Sequence, residues 1–333
     1  MKAAAGSIRA ARLTDRQALL GLSRQVHDAT EGFRRSLGVP ARSAAPPRIS
    51  LAALMPSWLP LRSPSVHLVA EWDGQLVGSC RAVEEPHRDD WVITELDAAD
   101  SPMAGEVRYA LLQAVIEEGA QRDVARYHAA CADVPENMEL FGQLSFMAYA
   151  QEEIWYRPPA GIEAVASRDA EPLLAATPPD AWHLFDLWTH TTPPAIARIE
   201  GYGATDWEPV GHEAVVPRSS LNPLLHFSDV SAWLLPDGQR VAGFAQHGAC
   251  RAGPHYLRFM VRVGADGAGF MQAVLATAGD EALAAGILAP VRTYEAMGRQ
   301  AAAATGFEPV GQVSMLVREV RAVLRQPAMV PAV

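Results

Sequence analysis

Gly264-Ala265-Asp266-Gly267-Ala268-Gly269 stands directly ahead of the apolar run Phe270-Met271-Gln272-Ala273-Val274-Leu275. Small residues let backbone N–H groups approach an anion closely, and the start of the ensuing helix adds unpaired N–H groups and the positive end of its dipole. This is chemistry suited to holding a phosphate, with Gly267 and Gly269 as its leading residues and Gly264 opening the loop. A second helix entry, Ser101-Pro102-Met103-Ala104-Gly105-Glu106-Val107-Arg108, keeps Gly105 and adds Arg108 in the first turn as a charge-assisted donor. Asp266 and Glu106 bring negative charge to the two loops, so a plain tight turn and an exposed helix start compete with phosphate binding. Neither loop has the GxxxxGK[ST] pattern of a P-loop or the full GxGxxG dinucleotide fingerprint. The sequence also lacks HExxH, paired CxxC and GxSxG motifs, which argues against a catalytic metal and against a serine-hydrolase elbow.

Composition narrows the class further. The chain has 333 residues, of which 49% are hydrophobic and 20% charged, as in an ordinary folded protein of about two domains. Its 28 basic and 38 acidic residues give a net charge of -10, which argues against a nucleic-acid partner. The acidic average weakly suits a cationic amine, and an anionic ligand would need a local exception. Cys80, Cys131 and Cys250 are odd in number and far apart, so they read as thiols rather than a disulfide framework or a zinc finger. No stretch reads as a signal peptide or reaches 18 uninterrupted apolar residues, so a cytoplasmic protein without a membrane partner is expected. The sequence is silent on oligomeric state and compatible with a homodimer.

The elements that must position these loops occur twice. VHLVAEWDGQLVGSCRAV predicts a hairpin turning at Asp73-Gly74, and DVSAWLLPDGQRVAGFAQHG predicts another at Asp237-Gly238. After the first come a strand (WVITEL), a helix with Val107, Leu111, Ala114 and Val115 on its apolar stripe, a strand (RYHAACADV), a short helix and a strand (FMAYAQEEIWYR). After the second, HYLRFMVRV, the glycine loop and its helix, ILAPVRTY, EAMGRQAAAATG and FEPVGQVSMLVREV repeat that order. The spans from Gly74 to Phe146 and from Gly238 to Phe307 are nearly equal, which predicts a duplication of domain size rather than a solenoid. Ahead of the first hairpin, Thr14 is a predicted helix cap, with Leu19, Leu20, Leu22 and Val26 on an apolar surface; a Pro-containing loop then leads to Leu51–Trp58. Ahead of the second, a short helix carries Trp182, Phe185, Leu187 and Trp188 as packing or contact surface, and Pro193-Pro194 starts another. The boundary is expected near Pro158–Asp169, giving domains 1–160 and 161–333.

In this organisation the chain resembles a tandem acyl-CoA N-acyltransferase of the GNAT class, over most of both halves and especially residues 66–157 and 227–319. The resemblance implies an α/β fold of two GNAT-like three-layer domains with central mixed sheets. It also implies acetyl-CoA as acyl donor, bound where the fourth and fifth strands of a domain separate, with its pyrophosphate at the loop before the central helix. By the same resemblance, cofactor binding falls to Gly264, Gly267 and Gly269 in one half, the favoured loop on backbone geometry, and to Gly105 and Arg108 in the other. Glu95, at the end of a fourth strand, is implied as a base or water-positioner, with Asp97 and Asp100 as alternates. The family's usual tyrosine acid is missing: LFGQLSF puts Phe141 at its position and AAAATGF puts Ala302 there. Tyr294 is the substitute candidate as acid or acceptor-wall residue, and Tyr127 and His128 lie on the other fifth strand. The expected activity is N-acetyl transfer to an unidentified amine. The alternative is a noncatalytic acyl-CoA-binding or interaction protein, since a duplicated fold can keep structure and lose chemistry.

Overall fold

The computed structural model describes residues 6–22, 65–85, 88–159, 173–211, 217–221, 227–251 and 253–320. The first half runs β1 (Ser7–Ala10), β2 (Ser65–Trp72), β3 (Gln75–Glu84), β4 (Asp90–Ala98), α1 (Ala104–Ala120), β5 (Arg126–Ala132), α2 (Pro135–Gln143) and β6 (Met147–Arg157). The second opens with β7 (Leu174–Ala175), α3 (Ala181–Thr191) and α4 (Pro194–Glu200). It then repeats the order as β8 (Phe227–Asp237), β9 (Arg240–Cys250), β10 (His255–Val261), α5 (Gly267–Ala285), β11 (Ile287–Arg292), α6 (Ala296–Ala304) and β12 (Glu308–Glu319). The expected boundary segment falls mostly outside the described residues, as do Val26 and Leu51–Trp58.

Period-two alternation gives the sheet a different layer on each face. On β2, Val66, Leu68 and Ala70 join the core under α1 and α2, with Leu111, Val115 and Phe141, while Val69 packs against Leu19 on the other side. On β10, Leu257, Phe259 and Val261 face α5 and α6, whereas Met260 joins Leu184, Trp188 and Trp207 around α3. The α/β architecture and mixed sheet are those expected, but the strands form a single 12-stranded sheet in the order β1-β2-β3-β4-β5-β12-β6-β11-β10-β9-β8-β7. Only β4·β5 and β10·β11 pair in parallel among the strands of this sheet; the other pairs are antiparallel.

The physical reason for one sheet is an exchange of last strands. β12 leaves β11 and pairs with β5 from Val313↔Ala132 to Glu319↔Arg126. Reciprocally, β6 pairs with β11 from Ile287↔Arg157 to Arg292↔Glu152. β6 and β12 also pair with each other, so each half completes the other's ladder. Leu316 of β12 lies in the first half's core and Trp155 of β6 in the second's.

Local differences from expectation have simple causes. Asp73 (φ 52°) and Gly74 (φ 76°) make the predicted first turn, closed by Trp72↔Gln75. The second hairpin closes at Asp237↔Arg240 after a register shift between Leu235 and Pro236, which moves the turn one residue on, to Gly238-Gln239. Asp15, rather than Thr14, ties the first helical entry by accepting from the Arg12 N–H at 2.7 Å. Trp182 is 64% exposed, because the buried stripe of α3 runs through Leu184, Leu187 and Trp188.

Two outcomes follow from this packing. Residues 1–160 and 161–333 expressed separately are each expected to lack a cooperative unfolding transition and to regain one on co-expression; a folded, monomeric fragment by size exclusion and circular dichroism would show that the exchange is dispensable. At Gly119, an added Cβ would stand 2.1 Å from the Tyr127 hydroxyl, which donates to Ile116 O at 2.9 Å. Gly119→Ala should therefore cost about 1–3 kcal/mol in denaturant unfolding, as overpacking does.

Candidate active site

Parallel pairing within each half is brief. β4 and β5 are joined from Asp90↔Arg126 to Val92↔His128, after which β4 runs on to Ala98 and β5 to Ala132 without further pairing. β10 and β11 share only His255↔Ile287 and Tyr256↔Leu288 before parting. Each parting exposes backbone donors and acceptors that need another partner, and each lies beside the N-terminus of a long helix.

The two partings are built differently. In matching register after Gly78 and Gly243, Arg81 faces Glu95 on β4, and Gln246 faces Arg258 on β10. Arg258 is fully buried and donates to Glu295 at 2.5 and 3.0 Å and to Phe259 O at 2.6 Å. Glu295 precedes α6, so this ion pair ties β10 to the segment beyond β11. Ahead of α2 the equivalent place belongs to Val134, which is 38% exposed, and the ion pair between β4 and β5, Asp90–Arg126 at 3.0 Å, lies at their paired end, not across the parting. Breaking a buried pair on one side leaves an uncompensated charge, so the second parting is held shut.

The helix starts differ in the same sense. Asp266 caps α5 and its carboxylate accepts the Gly269 N–H at 2.9 Å, filling with the chain's own anion the position expected for a phosphate. Gly267 serves packing: its missing Cβ would stand 3.2 Å from Ala301 Cβ and 3.3 Å from Val261 Cγ1. Gly264 takes φ 90° in the turn, a left-handed conformation that favours glycine. By contrast, α1 has no side-chain cap, and the space beside Gly105 is open. The buried Nε of Arg108, one turn in, has no hydrogen-bond partner among the described residues.

The implied catalytic residues fall in separate halves. Glu95 is 40% exposed and lies 3.4 Å from Arg81. Its neighbour Asp97 is the perturbed carboxyl, pushed up to about 6 by burial and secondarily by the Glu95 charge. Tyr294 lies between β11 and α6, where burial first and Glu295 second raise its pKa, and it has no hydrogen bond or ion pair to Glu95. Phe141 and Ala302 are core residues, so neither supplies a hydroxyl. Sequence reading passed over Arg218, Glu152, Glu200 and Arg292, whose roles need the halves brought together. Arg292 reaches Glu152 at 3.2 Å, Glu200 at 2.9 Å and Arg218 O at 2.6 Å; Glu152 accepts from Ser220 N at 2.8 Å. Charged residues within otherwise apolar strands could have flagged Glu152 and Arg292, whereas Glu200 in α4 and Arg218 in a loop carry no such signal.

Comparison with solved structures finds the same fold across nearly the whole chain. A tandem GNAT protein from the clavulanic acid biosynthesis pathway aligns with TM-score 0.54 and 13% identity, over 95% of this chain and 98% of that one. A GCN5-related N-acetyltransferase from Sphaerobacter thermophilus aligns with TM-score 0.53 and 13% identity, over 94% and 95%. A putative acetyltransferase from Pyrococcus horikoshii gives 0.50 and 10%, over 95% and 90%. No family model and no curated protein matches the sequence. At these identities the likeness is one of fold, and the α/β fold of this chain is that of the GCN5-related N-acetyltransferases.

Asp97 has a measurable consequence. Its folded pKa lies above the ordinary aspartate value of 3.8, so the folded state holds the proton more tightly between about 4 and about 6. That contribution to stability is present at acid pH and is lost as pH rises through about 6. Asp97→Asn should remove this slope and raise the melting temperature at pH 7.5; an unchanged pH–stability curve would place Asp97 in water.

Proposed function

We propose that the chain is an N-acetyltransferase of tandem GNAT organisation, with halves at 1–160 and 161–333, that moves acetyl from acetyl-CoA to an amine at the first half. The observation that carries this reading is the unlocked parting of β4 and β5 beside the uncapped start of α1. Gly105 and Arg108 fit a pyrophosphate there, since the backbone is open to approach and the buried Arg108 Nε lacks a partner. Gly264, Gly267 and Gly269 fit it less well, because Asp266 already takes the Gly269 donor and would repel a second anion. The second half then serves as a folded partner whose own groove is closed by Arg258–Glu295.

In this mechanism the amine nitrogen attacks the thioester carbonyl, a C–N bond forms and the C–S bond breaks. Its proton passes directly or through water to the Glu95/Asp97 carboxylates, which lie two residues apart on β4 and so share a face. CoA leaves as a thiolate; with an ordinary thiol pKa of about 8.5 it needs only modest proton assistance. Tyr294, held protonated in the other half, is an acceptor-wall residue at most in this scheme. Phe141 and Ala302 favour the second reading, a noncatalytic acyl-CoA-binding protein, because the hydroxyl that the family resemblance leads one to expect is missing from both halves.

Intact-mass analysis of small and peptide amines incubated with acetyl-CoA, coupled to thiol release, separates the two. Acceptor-dependent acetylation is expected, with a rate that falls below about pH 6 and loses that limb in Asp97→Asn. Calorimetry should show acetyl-CoA binding weakened about tenfold by Arg108→Ala, the loss of one charge-assisted contact, and unchanged by Asp266→Asn. Binding without any acceptor-dependent product would favour the noncatalytic reading.

A further inference from the structure

Residues 217–221 come from the second half, yet they lie against the parting of β4 and β5. Between them is a cavity of ≈ 50 Å³, lined by residues 92–94 of β4, 128–130 of β5, Arg218–Ser220 and Met315 of β12. Two of these residues carry buried nitrogens without a hydrogen-bond partner among the described residues. His128 is 1% exposed; its Nε2 makes at most a weak contact with Asp90 Oδ2, at 3.5 Å, and its Nδ1 has no partner among the described residues. Arg218 is 4% exposed and gives Nε and Nη2 to the Glu85 carboxylate, which leaves Nη1 unbonded. Ser219 and Ser220 do not fill the need: their hydroxyls meet the Tyr256 hydroxyl and the Glu152 carboxylate.

An unpaired buried donor costs about 1–3 kcal/mol, and more when charged, so an occupant that accepts a hydrogen bond would be stabilised here. Size and donor chemistry restrict what that occupant is. A water occupies roughly 10–15 Å³ on this measure, so ≈ 50 Å³ admits about three to five such positions, room for a carboxylate head. The ionic groups around the cavity are Glu85, Asp90, Arg88, Arg126 and Arg218, joined through ion pairs at Glu85 and Asp90, together with Glu152, Glu200 and Arg292, joined through Arg292. Four cations thus meet four anions beside a neutral imidazole, so the cluster carries no excess charge and selection falls to the unpaired donors. The imidazole is held neutral by burial first and by the Arg218 charge second, down to about 4. A carboxylate, which only accepts, can take the N–H of Arg218 Nη1 and of the imidazole, whereas an ammonium, which only donates, would leave Arg218 Nη1 unpaired.

We propose that the cavity is a carboxylate subsite in which Arg218 Nη1 and the His128 ring N–H are the donors. Resting on the acetyltransferase reading, the acceptors of the first half are then amino-acid-like amines, whose carboxylate is read by a residue of the second half. Arg218 is thereby a specificity-determining residue, distinct from the carboxylates of β4 that take the proton.

The test uses the full chain and simple probes. Acetate, with acetamide as the uncharged control of similar size, is titrated by calorimetry and by the His128 Cε1–H resonance. Saturable acetate binding that shifts this resonance is expected, weakened at least about tenfold in Arg218→Met and in Ala130→Leu, which fills the cavity without removing an ion pair. Absence of saturable acetate binding to the folded wild type, or equal binding of acetamide, overturns the subsite. In the acylation assay, β-alanine is compared with ethylamine and lysine with cadaverine. A preference of at least about tenfold for the carboxylate-bearing member is expected, and equal rates overturn the acceptor class. If acetate binds as described but no amine is acetylated, the subsite stands and the acetyltransferase reading fails.

Discussion

The pairing of β6 with β12 is the constraint on which the molecule rests. Each strand ends one half of the repeated sequence and completes the sheet of the other, so neither parallel pair, β4·β5 nor β10·β11, is completed within its own half. A last strand that stayed beside its own fifth strand would leave two sheets with two extra edges, each with unpaired backbone groups. Exchange turns those edges into the centre of one sheet. It also brings the acidic residues of β6, Glu152 and Glu153, against Arg292 and Arg299 of the other half.

Burying these charges has a cost that only mutual pairing offsets. Asp90, Glu152, Glu200, Arg218, Arg258 and Arg292 are all buried. The network is closed in part by backbone groups from the opposite half: the Ser220 N–H donates to Glu152 at 2.8 Å, Arg88 donates to Glu200 O at 2.5 Å and Arg126 to Ile199 O at 2.8 Å. Such contacts are directional, so they fix how α4 and residues 217–221 lie against the first half more sharply than apolar packing alone. A cavity with unpaired donors persists in this arrangement because the surrounding ion pairs hold its walls.

The two halves share a chain path while their grooves diverge in chemistry. Where the first has Glu95, the second has Arg258; where the first has Val134, the second has Glu295. These two differences mark the contrast between an open parting and one spanned by an ion pair. Asp266 completes the difference by capping α5, whereas α1 keeps unpaired N–H groups.

The order of elements was legible in the sequence because it depends on short-range rules: period-two strands, apolar stripes on helices, and glycines such as Gly74 that turn hairpins. The fold resemblance followed from that order, and the solved structures bear out the fold. Partner choice among strands was not legible, because β6 and β12 carry the same alternation whether they pair at home or across the repeat. Nor could spacing tell that Asp266 would cap its own helix, that Gly267 would be held by Ala301, or that Asp97 rather than Glu95 would have the raised carboxyl. Those outcomes depend on distances between groups far apart in the chain, and on how much water each retains. Arg218 is the clearest case: in the sequence it is one arginine in a loop, and only the exchanged sheet sets it beside His128.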